Sequence, residues 1–294
     1  MKRLTHSAMS RLWPWRQRLC ASSRRICTAT VAGAAAFAFA FVFAGGITRA
    51  DGQPDLDLSG YELVFDENFD TLDVSGRGPG TRWIAHTPWN GDFGDALFVD
   101  PTPGFPFTVE NGILRIEARK EEDGIWRSGL LSSTDPSGQG FQMRYGYFEM
   151  RAKMPPGPGV WPAFWLIYNR SPESSLEIDV VEYYGHAPDI YHSVLKVWPK
   201  KDTVEEQTYA FMHHVPYGTL VAEYHDYGVS VEPDEVIFYL DRREMARAPT
   251  PVEHMGPLFI LLDLALGSGF PIEDTRNPSY MYVDHVRAYR RAGG

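Results

Sequence analysis

From Asp51 onward the chain is a succession of short apolar or alternating runs, each closed by turn residues, and this pattern restricts the fold more than any other feature. The runs are Tyr61–Phe65, Ile113–Ala118, Tyr145–Lys153, Trp161–Tyr168, Leu176–Tyr184, Tyr191–Val197, Val236–Leu240, Leu258–Leu266 and Met281–Arg290. In Tyr147-Phe148-Glu149-Met150-Arg151-Ala152 the alternation is strict, which is the period of a strand buried on one face. Asn111-Gly112, Ser137-Gly138 and Pro156-Gly157-Pro158-Gly159 punctuate the runs as turns. With 27 glycines and 22 prolines in 294 residues, little room is left for long helices. Frequent strands without a βαβ rhythm predict an all-β sandwich of two antiparallel sheets. Neither a repeat nor a linker divides residues 61–294, so they read as one domain. Thr71–Pro106, rich in Gly, Pro and aromatics, reads as loop that could line a binding surface, and Pro199–Tyr217 reads as a second loop.

The first fifty residues are of another kind. They hold eight basic residues and no acidic one, and Arg24-Arg25 precede an apolar run from Val31 to Ala44. Thr48-Arg49-Ala50 offers a small-x-small exit, so residues 1–50 read as a secretory signal, with an uncleaved membrane anchor as the alternative. Residues 51–60 read as a flexible lead-in. Both cysteines, Cys20 and Cys27, lie in the leader, which leaves the remainder without a disulfide or a thiol nucleophile. Of 28 Lys+Arg and 38 Asp+Glu, 20 and 38 remain beyond residue 50. Such an acidic body excludes nucleic acid as a natural partner, and an anionic membrane surface too. A secreted or periplasmic monomer, with no stable membrane association once the leader is cleaved, is the expectation.

Chemistry concentrates in Ser175-Leu176-Glu177-Ile178-Asp179-Val180-Val181-Glu182-Tyr183-Tyr184. Residues i and i+2 of a strand share a face, so Glu177 and Asp179 point one way while Ile178 and Val180 point into the core. Glu182, at i+5, falls on the wrong face of a regular strand. One extra residue in a β-bulge at Val180-Val181 returns it to the side of Glu177 and Asp179. Glu177 and Glu182 are then effectively four positions apart, roughly 13 Å along the backbone. Side chains leaning together would close this to roughly 5–6 Å, near the separation that suits double displacement at a sugar carbon. The bland alternative is a solvated acidic strand face, although carboxylates crowded on one face repel.

Flanking segments argue against the bland alternative. Gly146-Tyr147-Phe148-Glu149-Met150-Arg151-Ala152-Lys153-Met154-Pro155 and Gly159-Val160-Trp161-Pro162-Ala163-Phe164-Trp165-Leu166 precede the acidic strand. With them the chain resembles glycoside hydrolase family 16, in its laminarinase-like branch with a bulged E-x-D-x-x-E signature. The resemblance runs over most of residues 60–290. Phe65-Asp66-Glu67-Asn68-Phe69 and Ser128-Gly129-Leu130-Leu131-Ser132-Ser133 are similar to early strands of that family. Tyr224-His225-Asp226-Tyr227-Gly228-Val229 and Tyr282-Val283-Asp284-His285-Val286-Arg287-Ala288-Tyr289 are similar to late ones.

The resemblance implies a β-jelly roll with a concave substrate cleft, a polysaccharide as partner, and no cofactor for catalysis. It implies Glu177 as nucleophile, Glu182 as general acid and then base, and Asp179 as the group between them that sets where the proton sits. Trp161 is expected in the cleft as a stacking platform, while Trp165 fits either cleft or core. Trp89, Asn90 and Trp126 are further candidates for sugar subsites, and His192 for a hydrogen bond to Glu182 or to substrate. Lys196 stands where many relatives carry another histidine. His213, His214 and His254 are expected at the surface. The resemblance also suggests a structural calcium near Glu67, Gly112 and Asp284. It points to endo-cleavage of β-1,3 or mixed β-1,3/1,4-glucan with retention. Another polysaccharide (an agar-type galactan or a bacterial exopolysaccharide), transglycosylation, and a non-catalytic carbohydrate-binding role stay open at this point.

Overall fold

The computed structural model describes residues 56–89 and 91–293. The expected leader, residues 51–55 of the lead-in and Asn90 lie outside the described residues. In chain order the strands are β1 (Tyr61–Glu67), β2 (Val74–Ser75), β3 (Trp83–Ile84), β4 (Leu97–Phe98), β5 (Phe107–Glu110), β6 (Ile113–Lys120) and β7 (Trp126–Ser128). There follow β8 (Leu130–Ser132), β9 (Gln142–Met143), β10 (Gly146–Lys153), β11 (Val160–Tyr168), β12 (Ser174–Tyr183), β13 (Ile190–Pro199) and β14 (Gln207–His214). A helical turn, α1 (Thr219–Ala222), leads to β15 (His225–Val231), β16 (Glu235–Leu240), β17 (Arg243–Pro249), β18 (Leu258–Leu266) and β19 (Ser279–Arg291).

These strands form two sheets. One runs β17-β16-β15-β10-β19-β6-β7-β4, with β1 on β19 and β5 on β6. The other runs β14-β13-β12-β11-β18-β8-β3-β2, with β9 on β18. The pairing is antiparallel throughout the centre, as expected, but the edge pairs β2–β3 and β4–β7 are parallel. Those two-residue edge strands come from the 71–106 stretch, which folds back along the sheets as short segments instead of forming hairpins.

Alternation places the core between the sheets. Phe148, Met150 and Ala152 of β10 meet Phe164 and Leu166 of β11, Ile178 and Val180 of β12, and Leu262 and Leu264 of β18 in one buried cluster. The expectation for β10 was burial on one face only, yet its other face is covered in part. Tyr147 packs there with Ile237 and Tyr239, joined by Leu56 and Leu58. The Leu56 N–H donates to the Arg242 carbonyl, which ties this part of the lead-in to the domain.

Burial of that face leaves Glu149 fully enclosed, and its partners make this tolerable. Tyr147 Oη donates to Glu149 Oε2 at 2.9 Å, and Arg242 binds both oxygens, Nε at 2.9 Å and Nη2 at 3.1 Å. Arg242 and Asp241 form the two-residue turn between β16 and β17, both in the left-handed region, and this aims the guanidinium at β10. Burial alone would raise the Glu149 carboxyl. His285 Nε2, 3.5 Å away, and the hydrogen bonds and charge of Arg242 outweigh it and hold the group at about 2, against an ordinary 4.5. Its pairing therefore stabilises the fold fully above about pH 4.5, and that contribution is lost as pH falls through 2. Arg242→Met is expected to cost about 2–3 kcal/mol in urea unfolding at pH 7, since Arg242 is itself partly solvent-screened. The gap to the parent should close as the pH approaches 2; a constant gap would contradict the pairing. Glu149, Asp226 and His285 place ligand-type atoms within 4.8 Å of one another, but Arg242 and Arg151 already supply the positive charge there.

Candidate active site

The acidic strand β12 carries the expected bulge. On the β11 side Phe164 pairs with Val181 and Trp165 with Asp179, so Val180 is the extra residue. On the β13 side the register jumps between Asp179–Val194 and Glu182–His192. Leu176, Ile178, Val180, Val181 and Tyr183 all join the intersheet core, and Glu177, Asp179 and Glu182 project together from the opposite face. A bulge frees a carbonyl from the ladder, and here it is used: Ser193 Oγ donates to the Val180 carbonyl at 2.8 Å. His213 Nε2 lies 3.1 Å from the same hydroxyl. Because the Ser193 proton is committed to the carbonyl, His213 is the donor in that contact. Burial lowers the His213 imidazole to about 4, so it is neutral and serves as a fixed strut.

Two indoles orient the acids. Trp161 and Trp165 leave the same face of β11 on either side of Ala163. Trp161 Nε1 donates to Glu182 Oε1 at 3.0 Å, and the Tyr184 hydroxyl donates to the same oxygen at 3.1 Å. Trp165 Nε1 donates to Asp263 Oδ1 at 2.9 Å, and the Ala265 N–H reaches Asp263 Oδ2 at 3.1 Å. Ala163 pairs with Glu182 on one side and Asp263 on the other, and its small side chain leaves room for both carboxylates.

Asp179 and Asp263 are buried and Glu177 and Glu182 half-buried beside them, so full ionisation of all four is opposed by desolvation and mutual repulsion. Burial, then Glu182, pushes Glu177 up to about 7, while the Trp198 indole and Lys196 pull against this. Asp179 is raised furthest above the usual carboxylate range, by burial and then by Glu177, Glu182 and Asp263. Glu182 is raised by burial and restrained by Trp161 and Tyr184. Asp263 stands at about 8 through burial, opposed by Trp165 and the Ala265 N–H. Asp179, between the two glutamates, is thus the natural holder of a proton. A neutral carboxyl beside two carboxylates can act as a hydrogen-bond donor, and a pair of glutamates so arranged can divide the nucleophile and acid roles between them at one bond.

Comparison with known proteins bears on this geometry. The family model described as Glycosyl hydrolases family 16 matches residues 105–259, just over half of the chain. The chain belongs to glycosyl hydrolase family 16. An endo-1,3-1,4-beta-glycanase, EglC, of Rhizobium meliloti is 32% identical over 80% of this chain and 53% of its own length. A beta-glucanase of Rhodothermus marinus is 25% identical over 83% of this chain and 89% of its own. Among solved structures, the laminarinase catalytic domain of Thermotoga maritima aligns with a TM-score of 0.61 and 26% identity, over 79% of this chain and 99% of that one. The chain spans about half the length, or less, of the first curated relatives it matches. The two-sheet architecture is the jelly roll of family 16.

Within that family 16 fold the expected residues sort as follows. Glu177, Asp179 and Glu182 are brought together, with Trp161 on Glu182. Trp161 is only 7% exposed, so it offers an edge and its N–H more than an open face. Of the two places open to Trp165 the structure shows the covered one: it lies beneath Trp89 and Phe93, with its N–H on Asp263. Trp89 packs on Trp165 and Phe259 as part of the loop over this face. Trp126 is corrected, because it lies in β7 of the other sheet and packs into the intersheet core. Trp126 and Ser128 point inward and Arg127 outward, as strand alternation requires. His192 sits across from Glu182, but Glu182 takes its hydrogen bonds from Trp161 and Tyr184, and the His192 ring stands against Tyr184 instead.

His213 and His254, expected at the surface, are buried. His213 is the strut described above, and His254 Nε2 makes a 2.8 Å hydrogen bond with the Arg144 carbonyl as acceptor. The side chains suggested for calcium already have protein partners. Glu67 accepts from the Phe69 N–H and Trp83 Nε1 and pairs with Arg82 Nε at 2.8 Å. Asp284 turns to His285 Nδ1 at 2.9 Å. Gly112 fills a turn at φ 74°. The guanidinium of Arg82, which also reaches the Asp66 carbonyl, supplies the positive charge beside Glu67.

Sequence reasoning missed Asp263, Tyr184 and Trp198. The signal for Asp263 was present: it is a lone acid in the nine-residue apolar strand Leu258–Leu266, and a buried acid in such a run needs a reason.

Proposed function

We propose that this chain is a retaining endo-β-glycosidase that hydrolyses β-1,3 or mixed β-1,3/1,4-glucan. The observation that carries the reading is the bulge at Val180, which puts Glu177, Asp179 and Glu182 on one face. Glu177 attacks the anomeric carbon as Glu182 protonates the departing glycosidic oxygen, giving a covalent glycosyl-enzyme. Glu182, now a carboxylate, takes a proton from water, and the water displaces Glu177. Asp179 keeps a proton and donates it in a hydrogen bond to Glu177, which eases the departure of that carboxylate in the second step. No cofactor enters the chemistry. The relatives to which the chain is similar, an endo-1,3-1,4-beta-glycanase, a beta-glucanase and a laminarinase, support the glucan as substrate. Export through residues 1–50 and action as a monomer on an extended polymer complete the reading.

The purified protein is expected to release reducing ends from laminarin and mixed-linkage glucan, and to release none from agarose or carrageenan. Proton NMR of the first product should show the β-anomer before mutarotation. Release from a galactan alone would keep the mechanism and discard the glucan. Transfer to added oligosaccharide in preference to water would make it a transglycosylase. Binding with no release from any polymer would make it a carbohydrate-binding protein.

A further inference from the structure

Strand β13 runs beside the acidic strand. Tyr191, Ser193, Leu195 and Val197 are buried, so His192, Val194, Lys196 and Trp198 share the acid-bearing face. The register sets Lys196 opposite Glu177. The Lys196 ammonium lies 3.6 Å from the centre of the Trp198 ring and 2.8 Å from Glu206 Oε1. The Lys196 side chain is 19% exposed and that of Glu206 57%, so water screens the carboxylate more than the ammonium. Of the pair, it is the Lys196 charge that acts on Glu177, drawing its carboxyl down. The Trp198 indole, opposite Ser175 on the same strand pair, also draws the Glu177 carboxyl down. A cation held on one face of an indole draws electron density from the ring and makes the indole N–H a stronger donor.

We propose that Lys196, seated on Trp198 and tethered by Glu206, is a positioning residue that keeps the Glu177 carboxylate ionised within the row of acids. The inference rests on the reading of Glu177 as nucleophile and adds how this chain keeps it competent. The charged or titratable neighbours on this face can be named strand by strand. Strand β12 supplies Asp179 and Glu182, β18 supplies Asp263, and β13 supplies His192 beside Glu182. Burial, aided by the neighbouring His186 and His214, lowers His192 and leaves it neutral. From β11 come Ile167 and Tyr168, and from β14 the uncharged Thr208 beyond Lys196. Lys196 is thus the cation in this set, against three other acids. Without it the proton shared along the row would move onto Glu177, which attacks only as an anion.

The direct test is the titration of Glu177 in the full chain, followed by carbon-13 NMR of labelled glutamate carboxyls. The signal is assigned by its loss in Glu177→Gln. In Lys196→Met the midpoint is expected to rise by about one pH unit, and Lys196→Arg should return it most of the way. Trp198→Phe, which keeps the ring but loses the donor, should raise it by a smaller amount and serves if Lys196→Met folds poorly. On mixed-linkage glucan the acid limb of kcat/KM should move up with the titration, while KM changes by less than about twofold. A midpoint unmoved in both Lys196→Met and Trp198→Phe overturns the proposal. So does an unmoved midpoint joined to a raised KM for an acidic polysaccharide, which would make Lys196 a contact for substrate charge. The titration needs no substrate, so a protein that cleaves no glucan would refute the proposed activity and leave this test standing.

Discussion

Glu177→Gln is expected to lower kcat on glucan at least about 10⁴-fold while making the protein more stable. The two effects have one cause. Glutamine has the shape of glutamate, so the strand and its bulge should persist. It cannot form the glycosyl-enzyme, and the double displacement stops at its first step. The stability gain follows from the raised carboxyl. An acid whose folded-state value is about 7 and whose ordinary value is 4.5 destabilises the fold increasingly as pH rises from 4.5 to 7. The substitution removes that cost, worth about 1–3 kcal/mol at pH 7 after relaxation, and should gain little at pH 4. Reducing-end assays and urea unfolding at the two pH values measure both arms. A variant that loses activity without gaining stability at pH 7 would mean that Glu177 is not held at strain in the acid row. A variant that retains activity would remove it as nucleophile.

The sandwich was legible because strand burial has a period of two, and that period survives in any sequence whose strands bury one face. The bulge was legible for the same reason: Glu182 breaks the parity of Glu177 and Asp179, and one inserted residue is the smallest repair. Neighbours in space were harder to read. Asp263 meets Glu182 only because β18 lies one strand beyond β11, and no local pattern states that adjacency. Pro199–Tyr217 reads as loop in the sequence, yet it contains β14, where Tyr209, Phe211 and His213 turn inward on alternate residues. As an edge strand it is covered on one face alone, and Ala210 and Met212 on the exposed face break the apolar-polar alternation that would have marked it. Trp126 and Trp165 show the limit for aromatics. A tryptophan near a loop reads as a sugar platform until the strand it belongs to is known, and both are covered in the fold. His213 and His254 were read as surface because polar residues usually are. Each is buried with a hydrogen-bond partner that the sequence could not supply.

The two glutamates should be separable by chemistry as well as by loss of activity. Glu182→Ala is expected to slow cleavage of laminarin or mixed-linkage glucan by about 10²–10⁴-fold, because a sugar leaving group needs a proton as the bond breaks. An aryl glycoside with an acidic phenol needs none. With that substrate Glu177 should still attack, giving a burst of phenol followed by a stalled glycosyl-enzyme, since the base that activates water is gone. Azide, which attacks without a base, should release the stall and yield a glycosyl azide of retained configuration. In Glu177→Ala the azide would instead enter the space of the missing nucleophile and yield the inverted product. Exchange of the two outcomes would reverse the assigned roles. The pH profile supplies an independent check. Burial raises the Glu182 carboxyl and the hydrogen bonds from Trp161 and Tyr184 restrain it, so this group should set the alkaline limb of the parent's activity. In Glu182→Ala that limb should vanish with the aryl substrate, because no proton remains for base to remove.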